Sequence, residues 1–234
     1  MSELSDIIDA LKPVSTATIA TVLLKRGLRR VWMRGTRPIR SGQARTVGRA
    51  FTLRFIPARE DLATPVSWAS PRSTRAAIEE MPPGSVAVAD AMGVTEAGIF
   101  GDILCARIKQ RGVAGLITDG AVRDIAGVLK TGLSVWCGGA AAPPSVASLT
   151  FVNWQEPIGC GGVSVYPDDV IVADDDGAVL IPAALAEEVA RVAQEQELIE
   201  TWIMDEVLKG ARLPGLYPPN EDTLKRYKDW ASRR

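Results

Sequence analysis

Between residues 85 and 130 the chain twice passes from a short, continuously apolar stretch through a glycine-bearing turn into a segment of helical periodicity. Ser85-Val-Ala-Val-Ala-Asp90 reads as a compact buried strand. Gly98-Ile-Phe-Gly-Asp102 is a glycine loop feeding residues 103–111, where Ile103, Leu104 and Ile108 share one face and Gly112 marks the stop. Residues 113–118 read as a second strand, 119–124 as a turn and 125–130 as a short helix. Strand, helix, strand, helix in this order implies an α/β core.

The flanks extend this core. Ile7, Ile8 and Leu11, then Ile19, Val22 and Leu23, recur at helical spacing on either side of Pro13, which predicts two short helices over residues 5–26, with Gly27 as the C-cap. Residues 31–48 read as a loop with short extended pieces, and 48–56 alternate as a half-buried strand does until Pro57. An irregular stretch, 58–72, precedes a short helix over 73–81 that Pro82-Pro83-Gly84 closes. Residues 162–166, 170–173 and 178–182, parted by turns at Pro167-Asp-Asp169 and Asp174-Asp-Asp-Gly177, predict a β-meander. A long helix follows over 183–208. With 234 residues, 47% of them hydrophobic, we expect one domain over 1–234, with a helical C-terminal arm from about residue 183.

Charge and residue usage narrow the chemistry. With 27 basic against 28 acidic residues, nothing global draws the chain to nucleic acid or to an anionic membrane, so a small-molecule partner is favoured. No stretch approaches the roughly 20 apolar residues of a membrane helix. Residues 1–13 carry Glu3, Asp6 and Asp9 rather than the basic start and apolar core of a secretory signal, so the expected location is the cytoplasm. Cys105, Cys137 and Cys160 are odd in number and widely spaced, which suggests reduced, buried thiols. There is no histidine, which excludes Ser-His-Asp and Cys-His catalysis. Any metal must be held by carboxylates, carbonyls and water, a donor set suited to Mg2+ or Mn2+.

Residues that could do chemistry concentrate between Gly98 and Asp124. If Asp102 starts its helix, the amides of Ile103 and Leu104 face the preceding loop and offer a seat for a substrate carboxylate. Arg123 can present a bidentate fork to the same group, and Asp124 can bind a divalent cation through oxygen. Each feature alone has an ordinary structural explanation: Asp102 as an N-cap, Asp119-Gly120 as a turn, Arg123-Asp124 as a solvated pair.

Gly98, three residues, Asp102, twenty residues, then Arg123-Asp124 resembles the G-x3-D-x20-R-D signature of the class II pyruvate aldolases related to 4-hydroxy-4-methyl-2-oxoglutarate aldolase, and matches it at all four positions. The runs 115–124 and 163–182 also resemble the regulator of ribonuclease activity A, of the same superfamily, and the likeness extends over about residues 10–215. The resemblance implies a compact α/β/β/α fold in a homotrimer or a homohexamer of two trimers, with active sites between subunits. It implies that Asp124 binds Mg2+ or Mn2+ directly, that Asp102 holds a metal-bound water and that Arg123 contacts the 2-keto acid. Gly98, Gly101, Ile103 and Leu104 would line the substrate. An acidic residue from the C-terminal helix of the neighbouring subunit would complete the site, with Glu200 as the candidate and Glu195 next.

The activity implied is metal-dependent cleavage of a C–C bond beside a 2-keto acid, by retro-aldol release of pyruvate or by oxaloacetate decarboxylation, both through pyruvate enolate. The rival is a non-catalytic, protein-binding regulator of ribonuclease activity, which has no need of the intact signature. Schiff-base catalysis would require a desolvated lysine, whereas Lys109 and Lys130 lie beside polar residues near helix ends. A methyltransferase reading lacks the glycine-rich loop of a Rossmann unit. The arginine-rich stretch 29–54 and residues 68–75 could add selectivity for a second carboxylate or a sugar-acid chain.

Overall fold

In the computed structural model, which describes residues 3–232, the chain opens with two helices, α1 (Glu3–Leu11) and α2 (Thr16–Lys25). Ser15 caps α2 by accepting from the Thr18 amide. Two-residue strands β1 (Trp32–Met33) and β2 (Arg37–Pro38) punctuate the arginine-rich stretch, and β3 (Thr46–Pro57) then runs for 12 residues. Next come α3 (Thr74–Glu80), β4 (Val86–Asp90), α4 (Asp102–Gln110), β5 (Gly115–Thr118) and β6 (Ala121–Val122). They are followed by α5 (Ile125–Lys130), β7 (Ser134–Cys137), β8 (Gly139–Ala140) and β9 (Leu149–Trp154). The hairpin β10 (Val170–Asp174) and β11 (Gly177–Ile181) leads to α6 (Ala186–Leu208) and α7 (Glu221–Ala231).

β3 joins the two halves of a nine-stranded sheet. Its first residues pair antiparallel with β10, and its middle pairs parallel with β4, from Ala50 opposite Val86 to Arg54 opposite Asp90. β4, β5 and β7 continue in parallel, while β10, β11 and β1 are antiparallel. Alternate residues of each strand then decide what packs where. Val86 and Val88 join Ile117 and Trp136 in a cluster shared with Ile171, Ala173, Ala178 and Leu180 from the other half of the sheet. Ala87, Ala89 and Leu116 face the opposite way, onto Ile78 of α3, Cys105 and Ile108 of α4 and Val128 of α5. Val170, Val172, Val179 and Ile181 likewise turn outward onto Leu11, Ile19, Leu23 and Val189. The result is four layers, α/β/β/α, as expected. The fully buried Trp136 ties the two sheet halves together, its Nε1 donating to the Asp174 carbonyl at 2.6 Å, and truncating such a residue typically costs about 3–5 kcal/mol.

Three parts differ from the sequence reading. Residues 162–166 do not form the first strand of a meander: Gly161 and Gly162 sit at φ 58° and 78°, and Val165 makes only an isolated bridge with Ile158. Left-handed backbone cannot continue a strand. β7 and β9 arise where no alternation predicts them. The first is only four residues long and buried on both sides, and the second is held by pairing with the far end of β3. Helix α7 also goes unannounced by an apolar stripe. Asn220 caps it, and Tyr227 and Trp230 pack on Trp202 of α6. The first half of α6 thus belongs to the sheet through Val189, Ala190 and Ala193, and its second half, through Ile199, Trp202 and Ile203, to a separate cluster with α7.

Among the described residues no single helix is long and apolar enough to cross a membrane. α1 and α2 reach that length only together, across a bend of 108°.

Candidate functional site

The segments that follow β4, β5 and β7 run side by side. β6 pairs in parallel with β8, Ile99 N donates to Ala121 O at 2.9 Å, Arg123 N to Phe100 O at 2.9 Å, and Ala141 N to Val122 O at 3.0 Å. Gly98 sits where these segments pinch. A β-carbon there would lie 2.7 Å from Arg123 Cβ, 2.9 Å from Arg123 N and 3.0 Å from Ala141 O, so only glycine lets residues 98–100 lie against 121–123. That pairing brings the start of α4 to the start of α5.

Asp102 is the first residue of α4, and the N-cap is Gly101. The capping explanation of Asp102 is therefore set aside. The expectation that the Ile103 amide stands open is also corrected: it donates to Asp102 Oδ1 at 2.7 Å, because the carboxylate folds back over the first turn. Asp124 is the N-cap of α5, yet its side chain makes no capping hydrogen bond and its backbone is left-handed, φ 56° and ψ 44°. Such a conformation costs a non-glycine residue of order 1 kcal/mol. Its carboxylate instead meets Arg123, whose Nε lies 3.1 Å from Oδ2, with both side chains between a third and a half exposed.

Two glycines hold the carboxylates close. A β-carbon on Gly101 would come within 2.9 Å of Asp124 Oδ2, and one on Gly127 within 2.5 Å of Asp102 Oδ2 and 2.6 Å of Asp102 Cβ. Gly127 was not singled out by the sequence reading. Its signal was available, since a glycine inside the short helix α5 is unfavourable by about 1 kcal/mol relative to alanine and calls for a packing reason. Around these residues lies a cavity of about 230 Å3 that Gly98, Gly101, Ile103, Leu104 and Arg123 line together with both aspartates. Trp68, Thr74 and Arg75 also line it. Ile103 is 79% exposed, an unusual position for an isoleucine at a helix start.

Other candidates lie elsewhere. Lys109 and Lys130 are both exposed, which removes the desolvation that a Schiff-base lysine needs. Glu200 stands on α6, in the opposite helical layer, with Oε1 accepting from Gln196 at 2.7 Å and Oε2 at 3.5 Å from the Thr18 hydroxyl. Glu195 is exposed and pairs with Arg191. One chain therefore brings together Asp102, Arg123 and Asp124 but neither glutamate. Among the described residues no group of three or more His, Cys, Asp or Glu side chains could hold a metal.

Comparison with known proteins bears on this arrangement. The family model described as RraA-like, Aldolase/RraA, matches residues 4–180. The chain belongs to the RraA-like family. The match contains Gly98, Asp102, Arg123 and Asp124, whereas Glu195 and Glu200 lie beyond it. A protein of Halalkalibacterium halodurans, proposed by its name to be a 4-hydroxy-4-methyl-2-oxoglutarate aldolase, is 36% identical over 121 residues, 52% of this chain and 57% of that protein. Protein DlpA of Legionella pneumophila is 29% identical over 177 residues, 76% of this chain and 28% of DlpA. The chain thus spans less than two thirds of either relative. Among solved structures, RraAS2 of Streptomyces coelicolor, described as an unusual member of the RNase ES inhibitor RraA protein family, superposes with a TM-score of 0.76 at 35% identity, covering 84% of this chain and 94% of that one. A protein of Pseudomonas syringae pv. tomato shares the fold, with a TM-score of 0.81 at 24% identity over 94% of this chain and 96% of that one.

This RraA-like chain also has a larger cleft, of about 730 Å3, where Asp90 ends β4 and Asp119 follows β5. Both acids are engaged by backbone there. Asp119 accepts from Ala91 N at 2.8 Å and Gly161 N at 3.0 Å, and Asp90 from Met92 N at 2.9 Å and Gly159 N at 3.1 Å. They act as staples between loops. Burial raises the Asp119 pKa above the ordinary carboxylate value, against the pull of the amides of Gly161, Ala91 and Gly93. A carboxyl with a raised folded-state pKa stabilises the fold when protonated. Its contribution is present below the unfolded pKa of about 3.9 and is lost as pH rises through the folded value. The stability difference between wild type and Asp119→Asn should therefore move against the wild type as pH rises from about 4 to 7, measured by thermal melts. A difference that stays flat with pH would show that Asp119 titrates normally.

Proposed function

We propose that this protein is a divalent-metal-dependent carbon–carbon lyase that cleaves a 2-keto acid, releasing pyruvate by retro-aldol cleavage and decarboxylating oxaloacetate. The observation that carries the reading is the convergence of Asp102, Arg123 and Asp124 on one cavity, where the Asp124 side chain makes no capping hydrogen bond and each aspartate rests against a glycine that leaves no room for a β-carbon.

The donor set fits a hard cation. Two carboxylates in one chain are few, which suits Mg2+ or Mn2+, ions that keep several waters and take further oxygens from the substrate. Asp124 would bind it directly and Asp102 through water. When bound, the ion supplies Lewis-acid charge to the keto acid. The protein's own groups do the rest. At the start of α4 the Leu104 amide, rather than that of Ile103, would seat the substrate carboxylate, and Arg123 sets a fixed positive charge beside the oxygen that becomes negative as the C–C bond breaks. Asp102 Oδ2, the oxygen not engaged by the Ile103 amide, is the place to take up and return a proton through water in a protein without histidine. We assign completion of the site to a neighbouring subunit of a homotrimer or homohexamer, through Glu200 on α6. The three free, buried cysteines suit a reducing compartment, the cytoplasm.

The test is pyruvate release from oxaloacetate and from 4-hydroxy-4-methyl-2-oxoglutarate with Mg2+, with Mn2+ and with EDTA. Release should require metal and stop on chelation. Folded, metal-supplied protein that releases pyruvate from neither compound would defeat the reading. It would favour the second one, a protein-binding regulator of ribonuclease activity, for which the 35% identity to RraAS2 over most of the chain speaks.

A further inference from the structure

The cavity that Asp102 and Asp124 line also carries a cation with no obvious structural duty. Arg75 lies in the first turn of α3, a helix with no acidic residue there, so the helix dipole opposes its charge. The natural partner by spacing is Glu79, one turn on, but Glu79 pairs with Arg107 at 2.6 Å and with Arg111 at 3.5 Å. Arg75 makes no ion pair among the described residues. Its guanidinium lies instead over the face of Trp68, with Cζ 5.3 Å from the ring centroid, and both side chains line the cavity. The contact restrains the arginine while leaving its N–H donors unspent. The other arginine of the cavity, Arg123, lies beside Asp124, with Nε 3.1 Å from Oδ2, and is assigned above to the keto-acid end of the substrate.

We propose that Arg75, braced on Trp68, is a specificity-determining residue that binds a second carboxylate, at the end of the substrate remote from the keto acid. The proposal rests on the 2-keto acid reading of the site and deepens it by naming the residue that selects a dicarboxylic over a monocarboxylic keto acid. A dicarboxylic keto acid seated at the start of α4 would have its second carboxylate inside the same cavity, where Arg75 offers the fork geometry that matches a carboxylate.

The test separates this from the lyase reading by measuring binding rather than turnover. Calorimetry on the full chain with Mg2+ compares 2-oxoglutarate with 2-oxopentanoate, which has the same chain length and a methyl group in place of the second carboxylate. Wild type should bind 2-oxoglutarate on the order of tenfold more tightly, the size expected of a hydrogen-bonded charge pair at a partly exposed site. Arg75→Gln should abolish the preference while leaving 2-oxopentanoate affinity unchanged, and Arg75→Lys should restore part of it. Arg72→Gln, at an arginine outside this cavity, should leave the preference intact. A wild type without preference, a preference that survives Arg75→Gln, or equal loss for both ligands would overturn the proposal. If the preference is present and Arg75-dependent in a protein that releases no pyruvate, the subsite stands and the lyase reading falls.

Discussion

On the lyase reading, Asp124→Asn is expected to lower metal-dependent pyruvate release from oxaloacetate on the order of a thousandfold while the protein remains folded, because it would remove one charge from a site proposed to act electrostatically. Asparagine is the informative replacement. Position 124 has φ 56°, a left-handed conformation that asparagine tolerates and alanine does not, so the backbone at the start of α5 should persist. The change also removes the negative partner of Arg123, whose Nε lies 3.1 Å from Asp124 Oδ2. Affinity for Mn2+, read by titration, should fall together with activity. A variant with wild-type turnover would mean that Asp124 is the solvated ion-pair partner it resembles in isolation, since exposed pairs contribute only about 0–1 kcal/mol.

Gly127→Ala is expected to separate stability from activity. Alanine in place of glycine inside a helix stabilises by about 1 kcal/mol where there is room. Here there is none, since the new methyl would meet Asp102 at 2.5 Å from Oδ2 and 2.6 Å from Cβ. The contact at Cβ matters more than the one at the carboxylate, because a carboxylate can rotate away whereas Cβ moves only with the start of α4. The helix gain and the local displacement should nearly offset, leaving the thermal midpoint within about 4 °C of wild type. Activity should fall on the order of a hundredfold, the usual result of misplacing a catalytic group by about 1 Å. Combining Gly127→Ala with Asp102→Gly, which removes both the β-carbon and the carboxylate it would meet, tests the route. The double variant should lose little more activity than Asp102→Gly alone, because the two positions act through one contact. Additive losses would show that Gly127 acts some other way.

These two residues mark the limit of what the chain shows in one dimension. Asp102 and Asp124 stand 22 positions apart in sequence, and the glycine-bearing turns around them were legible because each lies between an apolar run and a helical period. The short strand 85–90 and the hairpin 170–181 were legible for the same reason, since burial on a sheet face leaves alternation or continuous apolar character in the sequence. β7 and β9 left no such trace. Ser134–Cys137 is too short for a period to register, and β9 is a strand only because the end of β3 offers it unpaired backbone. The expected strand at 162–166 failed for the opposite reason: its side chains alternate as a strand's do, but the two glycines before them turn the backbone to positive φ.

Local patterning by itself determined that this chain builds an α/β core. With no histidine in it, the donors for any metal chemistry are carboxylates, carbonyls and water, and the candidate residues for that chemistry concentrate between Gly98 and Asp124. Those are properties of composition and of period, which burial writes into neighbouring residues. Only the tertiary structure decided that Gly98 lets the two active loops lie in contact, that Gly127 sits under Asp102, that Glu200 belongs to the opposite helical layer, and that Arg75 faces the cavity with its expected partner Glu79 taken by Arg107 and Arg111. Each of these is a contact between segments brought together by packing. Such contacts follow from the sum of many burial terms over the whole fold and leave no periodic mark at the residues that make them.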